Sequence, residues 1–285
     1  MVPDSASAAA SAASPASAPA PQNAPAIVLA AGRGERMRPL TDTTPKPMLA
    51  VQGKPLLQWH LEALARGGVP LVCINTAWLG ELVPKHFGAS ITPAPGPAPA
   101  RQPGTSPTAP LPLLYSMEGL DFGDALETAG GVARALRLLP DGKGALADVF
   151  WLAAGDVYVP GFEFSPESAA RFAASTALAH LWLVPNPPHN PRGDFGLAPD
   201  GRALNLPPDH PGPRYTYSTI GLFRRALFQP PWCHIPPGNP HGVKAPLAPL
   251  LRHAMDNGHI TAELYHGPWT DVGTPERLQE LNRPQ

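Results

Sequence analysis

The chain has 285 residues, 43% of them hydrophobic and 15% charged, with a formal net charge of −1. That length accommodates one large α/β domain or two small ones, and the near-neutral balance excludes the broad basic field that nucleic acid or an anionic membrane would require. Two cysteines, Cys73 in an apolar run and Cys233 in a proline-rich loop, supply neither a metal-ligand spacing nor a disulfide framework, and no apolar run is long enough to span a bilayer. A cytoplasmic protein with no nucleic-acid or membrane partner is expected, and nothing in the composition demands more than a monomer.

Residues 1–25 are almost wholly Ala, Ser and Pro. They lack a basic start, and Ser and Pro interrupt the alanine runs, so a disordered tail or a misassigned start codon is expected rather than a secretion signal. One domain is expected over 26–285. It opens on Ile27-Val28-Leu29, which reads as a buried parallel strand, and breaks into a turn holding Gly32 and Gly34, where backbone N–H groups can approach an anion closely. Arg33, Arg36 and Arg38 lie on or just past this turn, and Lys46 follows between two prolines that limit its flexing. The stretch reads as a grip for a phosphate chain. A dinucleotide fingerprint would need glycine at Met37, and a Walker loop would need Gly-Lys-Ser/Thr, so neither of those loops fits.

Next along the chain, Leu57, Leu61 and Leu64 share one face of a helix from about Pro55 to Arg66, ended by Gly67-Gly68. Leu71 to Ile74 is a second buried strand ending at Asn75, and Trp78 to Phe87 is predicted helical. Residues 89–112 are rich in Pro and Ala with only Arg101 charged, and read as an inserted surface loop. Beyond it Leu113 to Met117 is a strand, Thr128 to Leu139 a helix and Val149 to Ala153 another buried strand. This alternation predicts an α/β fold with a mostly parallel sheet covered by helices on both faces, binding ligands at the carboxyl ends of its strands. The later half is more mixed: a strand at Leu178 to Val184, a hairpin from Gly193 to Leu206 about Pro199-Asp200-Gly201, a strand at Tyr215 to Phe223, a helix at Leu247 to Asn257, and a strand at Ile260 to Tyr265. Trp78, Trp151 and Trp182 are expected in the core, and His234 and His241 at the surface or capping helices.

Three further places carry polar groups suited to chemistry. Asp156 follows a buried strand and Gly155, and Asp271 stands in Trp269-Thr270-Asp271-Val272-Gly273-Thr274; two such hard carboxylates suit Mg²⁺, although an arbitrary Gly-Asp is more often a cap or a turn. Leu126-Glu127-Thr128-Ala129-Gly130-Gly131 opens a helix where a planar base or a phosphate could come near backbone N–H groups, and a simple cap at Thr128 with glycines for close packing explains the same residues equally well. In the loop from Asn186 to Phe195, Asn186, Gly193 and Asp194 offer donors, acceptors and open backbone for a sugar, with a solvated turn as the alternative.

The stretch Ala26 to Pro47, a glycine-rich loop ending in Arg, then Pro-Leu-Thr and Pro-Lys-Pro, resembles the signature of the sugar-1-phosphate nucleotidylyltransferases. The resemblance extends to Leu281. Within that family, Gly34 to Leu40, Asn75 to Gly80, Leu126-Glu127-Thr128, Arg192 to Phe195 and Trp269 to Thr274 are most similar to the N-acetylmuramate-1-phosphate uridylyltransferases of peptidoglycan recycling. Guanylyltransferases of mannose-1-phosphate, uridylyl- or thymidylyltransferases of glucose-1-phosphate, and a non-catalytic regulatory subunit are the alternatives; the last should have lost Arg36, Lys46 or an acidic metal ligand, all of which are present. Ala129, Ala154, Thr219 and the insertion after Gly88 depart from the family pattern, and Ala154 and Thr219 fall on the sugar side.

The resemblance implies a Rossmann-like three-layer nucleotidyltransferase fold of the glycosyltransferase-A kind. It implies attack by a sugar phosphate oxygen on the α-phosphorus of UTP, with pyrophosphate leaving and charge neutralisation as the main catalytic need. Arg36, Lys46 and Asp156 would be catalytic, and Ala31, Gly32, Gly34, Glu35, Arg36, Lys46, Thr128 and Gly130 would bind the nucleotide. Asn186, Gly193 and Asp194 would bind the sugar phosphate, and Asp156 and Asp271 would hold Mg²⁺.

Overall fold

A computed structural model of the chain describes residues 22–92, 109–140, 144 and 148–283. Strand β1 (Ala26–Ala30) leads through short hairpin strands β2 (Ala50–Val51) and β3 (Lys54–Pro55) into helix α1 (Leu56–Arg66), then β4 (Val72–Thr76), α2 (Leu82–Phe87) and β5 (Ser90–Ile91). There follow β6 (Leu111–Met117), α3 (Glu118–Phe122), α4 (Glu127–Ala135), β7 (Val149–Ala154), β8 (Val157–Tyr158) and α5 (Pro166–Ala173). The last part holds β9 (Ala179–Val184), β10 (Phe195–Leu197), β11 (Ala203–Leu204), β12 (Arg214–Arg224), α6 (Leu247–Asp256), β13 (Ile260–Leu264), β14 (Thr270–Asp271) and α7 (Pro275–Leu281).

Ten strands form the main sheet, in the order β11-β10-β12-β7-β1-β4-β6-β5, with β9 on β12 and β13 on β9. The central block β7-β1-β4-β6 is parallel, as the near-continuous apolar runs predict. Its register sets Leu29 against both Asn75 and Ala154, so the ends of three strands open on one edge of the sheet. Alternation along each strand splits the core: Val28, Ile74 and Trp151 pack with α1 and α5, while Ile27, Cys73 and Phe150 pack with α4 and α6. A third cluster joins Met37, Leu56, Tyr158, Val272 and Leu278, binding the glycine-rich loop to the β14 region.

Several boundaries differ from expectation. The helix expected from Trp78 starts at Leu82, because Leu79 takes a left-handed φ of 48° and residues 78–81 form a turn. Leu111 and Pro112 belong to β6 rather than to the insertion, since they pair with β5; residues 93–108 lie outside the described residues. The helix expected over Thr128–Leu139 ends as α4 at Ala135 and tightens to a 3₁₀ turn over Leu136–Leu138. Of the tail expected to be disordered, residues 1–21 lie outside the described residues, but Asn23 and Ala24 are buried. The Asn23 amide donates to the carbonyls of Gly67 (2.8 Å) and Phe164 (2.7 Å) and its oxygen accepts from the Trp151 indole (2.9 Å). Helices α5 and α7 were not anticipated, although each follows a readable signal: Ser165 or Thr274 as side-chain cap with proline in the first turn.

At the open edge of the sheet, Asn75 links three elements. Its oxygen accepts from Ala30 N–H (2.7 Å) and its amide donates to Glu118 (2.7 Å), whose other oxygen accepts from Leu126 N–H (2.9 Å). Burial raises the Glu118 carboxyl above the usual range, while the N–H donors from Leu126 and Asn75 pull it back. Asn75→Ala strands the Ala30 N–H and a buried carboxylate, at about 1–3 kcal/mol per unpaired group. A loss of about 2–4 kcal/mol in urea-unfolding free energy is expected, and a change below about 0.5 kcal/mol would show that the network bears no weight.

Candidate active site

The glycine-rich loop leaves β1 at Ala30 and is shaped by Gly34, at φ +68°. A Cβ there would meet Thr41 Cγ2 at 3.0 Å and Lys46 Cβ at 3.1 Å, so glycine alone allows the loop to close over Lys46. The Thr41 hydroxyl donates to the Gly34 carbonyl (2.8 Å), and Met37 is buried beneath. The three arginines differ in their engagement. Arg33 stacks 3.3 Å from the Trp78 ring centroid, and the Trp78 indole donates to the Thr41 carbonyl (2.9 Å). Trp78 is thus a half-buried clamp on this loop rather than a core residue, whereas Trp151 and Trp182 stack in the core at 5.1 Å. Arg38 pairs with Asp42 at the surface (2.7 Å). Arg36 is exposed and has no ion pair or hydrogen bond among the described residues, which leaves its guanidinium open to a ligand.

Lys46 begins the 3₁₀ turn Lys46–Met48 and is only 7% exposed, yet its ammonium reaches Asp156 Oδ2 at 2.5 Å. Asp156 sits between β7 and β8 with its side chain 39% exposed. The pair therefore has its aliphatic stem in the wall and its charged end at the cleft. Beneath it the buried His60 ring, 2.7 Å from the Val157 carbonyl, holds β8 to α1, and burial keeps its imidazole below the usual pKa. Strand β14 pairs antiparallel with β8, Asp271 facing Val157, and Val272 N–H donates to the Asp156 carbonyl (3.1 Å). The β8–β14 ladder thus brings Asp271 to the turn that carries Asp156. Asp271 meets Arg277 at 2.7 Å and His189 at 3.4 Å, which ties the 186–195 loop to this end of the cleft.

Two adjoining cavities open at the strand ends. One of about 330 Å³ is lined by Ala31, Gly32, Lys46, Asn75, Glu127, Thr128 and Asp156 among others. The second, of about 360 Å³, is lined by Asp194, Phe195, Tyr217, Leu247, Leu251 and Arg252 among others. Leu29, Thr128, Ala154 and Thr219 line both, so these four residues stand at the junction. Thr219 holds φ +66° where β12 shifts register against β9.

The structure separates the remaining sequence candidates. Glu35 is exposed on the 3₁₀ turn beside Arg36. Thr128 lines both cavities, but Gly130 lines neither. Its N–H donates to the Ala245 carbonyl (3.1 Å), and a Cβ would lie 2.3 Å from the Val243 carbonyl oxygen, so close packing requires this glycine. The helix cap is Leu126 rather than Thr128, with Glu127 at φ +58°. In the 186–195 loop Asp194 and Phe195 line a cavity, and Asn186 and Gly193 do not. Asn186 donates to the carbonyls of Arg214 (2.9 Å) and Pro191 (3.3 Å) and accepts from Thr216 (3.0 Å), and Gly193 at φ +60° packs against it. These two shape the loop that presents Asp194.

A parallel sheet with a glycine-rich cationic loop, a lysine–aspartate pair and adjoining cavities at its strand ends is matched by comparison with known proteins. Residues 25–205 match the model of the nucleotidyl transferase family. The chain belongs to that family. It is 40% identical over 260 residues to an N-acetylmuramate alpha-1-phosphate uridylyltransferase of Neisseria meningitidis serogroup B, covering 90% of this chain and 95% of that protein. An enzyme of the same name from Caulobacter vibrioides is 28% identical over 88% of this chain and 92% of its own length. The fold is similar to that of a crystal structure assigned to a glucose-1-phosphate thymidylyltransferase of Bacillus anthracis, with a TM-score of 0.66 and 18% identity over 90% of this chain and 93% of that one.

In this nucleotidyltransferase, the Arg33–Trp78–Thr41 stack fixes the loop from one side while Met37 fixes it from below. Trp78→Leu removes a cation–π contact and an indole hydrogen bond, together worth about 1–3 kcal/mol. The variant is expected to lose that much stability in urea titration, and an unchanged midpoint would show that the stack does not hold the loop.

Proposed function

We propose that the chain transfers a uridylyl group from UTP to N-acetylmuramate 1-phosphate, giving UDP-N-acetylmuramate and pyrophosphate, in the cytoplasmic recycling of peptidoglycan. The observation that carries the reading is 40% identity to an enzyme of that name across 95% of its length. The layout of the cleft supports it: the cavity beside Gly32, Lys46 and Thr128 suits the nucleotide, and the one beside Asp194 suits the sugar.

In this reading the backbone of Ala31, Gly32 and Gly34 and the side chains of Glu35 and Thr128 frame the nucleotide, and Gly130 acts by letting α4 pack closely behind it. Arg36, unpaired before substrate arrives, stabilises the charge that develops on the departing pyrophosphate. Lys46 lies between the α-phosphate and the incoming sugar phosphate and offsets the repulsion between the two anions. Asn186 and Gly193 hold Asp194 toward the sugar. No protein nucleophile is needed, since the sugar phosphate oxygen attacks directly.

The aspartates also fit a divalent cation. They are hard donors at one end of the β8–β14 ladder, Asp156 in the turn before β8 and Asp271 on β14, and no cluster of three His, Cys, Asp or Glu side chains able to hold a metal occurs among the described residues. Most of the ion's shell would come from substrate phosphates and water, the usual Mg²⁺ pattern. A bound Mg²⁺ supplies positive charge that screens phosphate repulsion, and Asp156 and Asp271 would hold it.

Two measurements test this reading. Asp156→Asn and Asp271→Asn should each lower kcat by about 10²–10³-fold, and the double variant should be little worse than either alone, because one lost ligand already disables a shared site. Additive losses, or near-normal rates for Asp271→Asn at low Mg²⁺, would refute the shared ion. Pyrophosphate release should give the highest kcat/KM for UTP with N-acetylmuramate 1-phosphate, compared with N-acetylglucosamine, glucose and mannose 1-phosphates, each with UTP, GTP and dTTP. A preference for mannose 1-phosphate with GTP would overturn the substrate assignment.

A further inference from the structure

N-acetylmuramate differs from N-acetylglucosamine by one lactyl ether, which adds a methyl group and a carboxylate. A site that selects the first sugar needs a cation for that carboxylate. We propose that Arg252 is that cation, an inference that rests on the substrate reading above.

The second cavity is walled largely by Leu29, Leu152, Phe195, Leu247 and Leu251, surfaces suited to the methyls of acetamido and lactyl groups. Among the described residues that line it, Arg252 is the cationic side chain and Asp194 the acidic one. Both oxygens of Asp194 are engaged, Oδ2 by Tyr217 N–H (2.8 Å) and Oδ1 by the Asn190 amide (3.2 Å). Arg252 by contrast has no carboxylate partner among the described residues. Its Nη1 donates to Asn205 Oδ1 (2.6 Å), its guanidinium lies 5.1 Å from the Phe195 ring centroid, and its Nε and Nη2 make no hydrogen bond among the described residues. Those two nitrogens form the side of the guanidinium fork that grips a carboxylate through two parallel N–H donors. The fork is also pre-oriented, because the Asn205 amide is itself held by both Asp256 oxygens at 3.0 and 3.1 Å. Tyr217 lines the same cavity, and its buried hydroxyl has no partner among the described residues, a further group left for a polar ligand.

The arginines of another cavity show the contrast. Arg134 and Arg137, lining a space of about 480 Å³ behind α4, both point to Asp121, and Arg134 also donates to the Gly238 carbonyl. Those cations brace the fold, whereas the Nε–Nη2 edge of Arg252 has no hydrogen-bond partner among the described residues.

The test is a selectivity ratio, kcat/KM for N-acetylmuramate 1-phosphate over that for N-acetylglucosamine 1-phosphate, both with UTP. Arg252→Met, which keeps the apolar stem, should lower the ratio about 50-fold, and Arg252→Lys should restore part of it. On the wild-type enzyme, the methyl ester of the lactyl group should behave like Arg252→Met acting on the free acid, which requires no altered protein to fold. If the wild type prefers N-acetylmuramate 1-phosphate but neither esterification nor Arg252→Met changes the ratio, the assignment of Arg252 is wrong and the substrate reading stands. If the wild type shows no such preference, the substrate reading fails and takes this assignment with it.

Discussion

Asn75 is the joint on which the cleft is built. A parallel strand that ends at a ligand site leaves its last N–H without a sheet partner, and here Ala30 N–H finds the Asn75 oxygen instead. The Asn75 amide then fixes Glu118, and Glu118 fixes the N–H of Leu126 just before α4. One side chain thereby sets the spacing between the glycine-rich loop, the end of β4 and the helix that carries Thr128. The packing leaves no slack, since a Cβ at Gly131 would come within 2.7 Å of both the Asn75 amide and the Glu118 carboxylate. Burying a carboxylate is costly unless its oxygens are satisfied, and the two N–H donors meet that need only while all three elements stay in place.

Charge is arranged on this frame with the same economy. Each aspartate at the cleft already faces a cation, Asp156 with Lys46 and Asp271 with Arg277, so neither carboxylate presents its whole charge to an arriving triphosphate. Of the loop arginines, Arg38 is paired with Asp42 and Arg33 lies over Trp78, while Arg36 has no ion pair or hydrogen bond among the described residues. A triphosphate therefore meets the exposed guanidinium of Arg36 and a lysine whose partner it can displace. The shared core of Met37, Tyr158 and Val272 keeps these groups in mutual register although they are more than a hundred residues apart in sequence.

Periodicity and local signals made most of the scaffold legible. Apolar runs identified β1, β4, β7 and β9, and the turn at Pro199-Asp200-Gly201 placed the β10–β11 hairpin. Asp271 was legible as a candidate from its motif, yet its position beside Asp156 follows from the β8–β14 ladder, which no local pattern encodes. The Arg33–Trp78 stack, the Asn75–Glu118 bond and the Asn205–Arg252 bond all join residues dozens of positions apart, so composition and spacing could not show them. The polar residues of the 186–195 loop were legible as a cluster but not as a hierarchy. Only the fold shows that Asn186 and Gly193 satisfy the loop while Asp194 is turned to the cavity.

The junction between the two cavities joins these threads. Thr219 stands there at φ +66°, a conformation that costs a β-branched residue about 1–3 kcal/mol and persists only where its surroundings fix it. The neighbours supply that constraint: the Trp269 indole donates to the Ser218 carbonyl (3.0 Å), and Ile220 N–H donates to the Ser218 hydroxyl (3.2 Å). Trp269 also leads directly into β14, so the strand that brings Asp271 to Asp156 is anchored on the bulge that sets the wall between the cavities. The Thr219 side chain is part of that wall on both sides. Ala154 adds a methyl group beside it. Thr128 and Thr219 bring the hydroxyl groups among the described residues that line both cavities, and Thr219 Oγ1 is held by donating to the Ser218 carbonyl (2.5 Å).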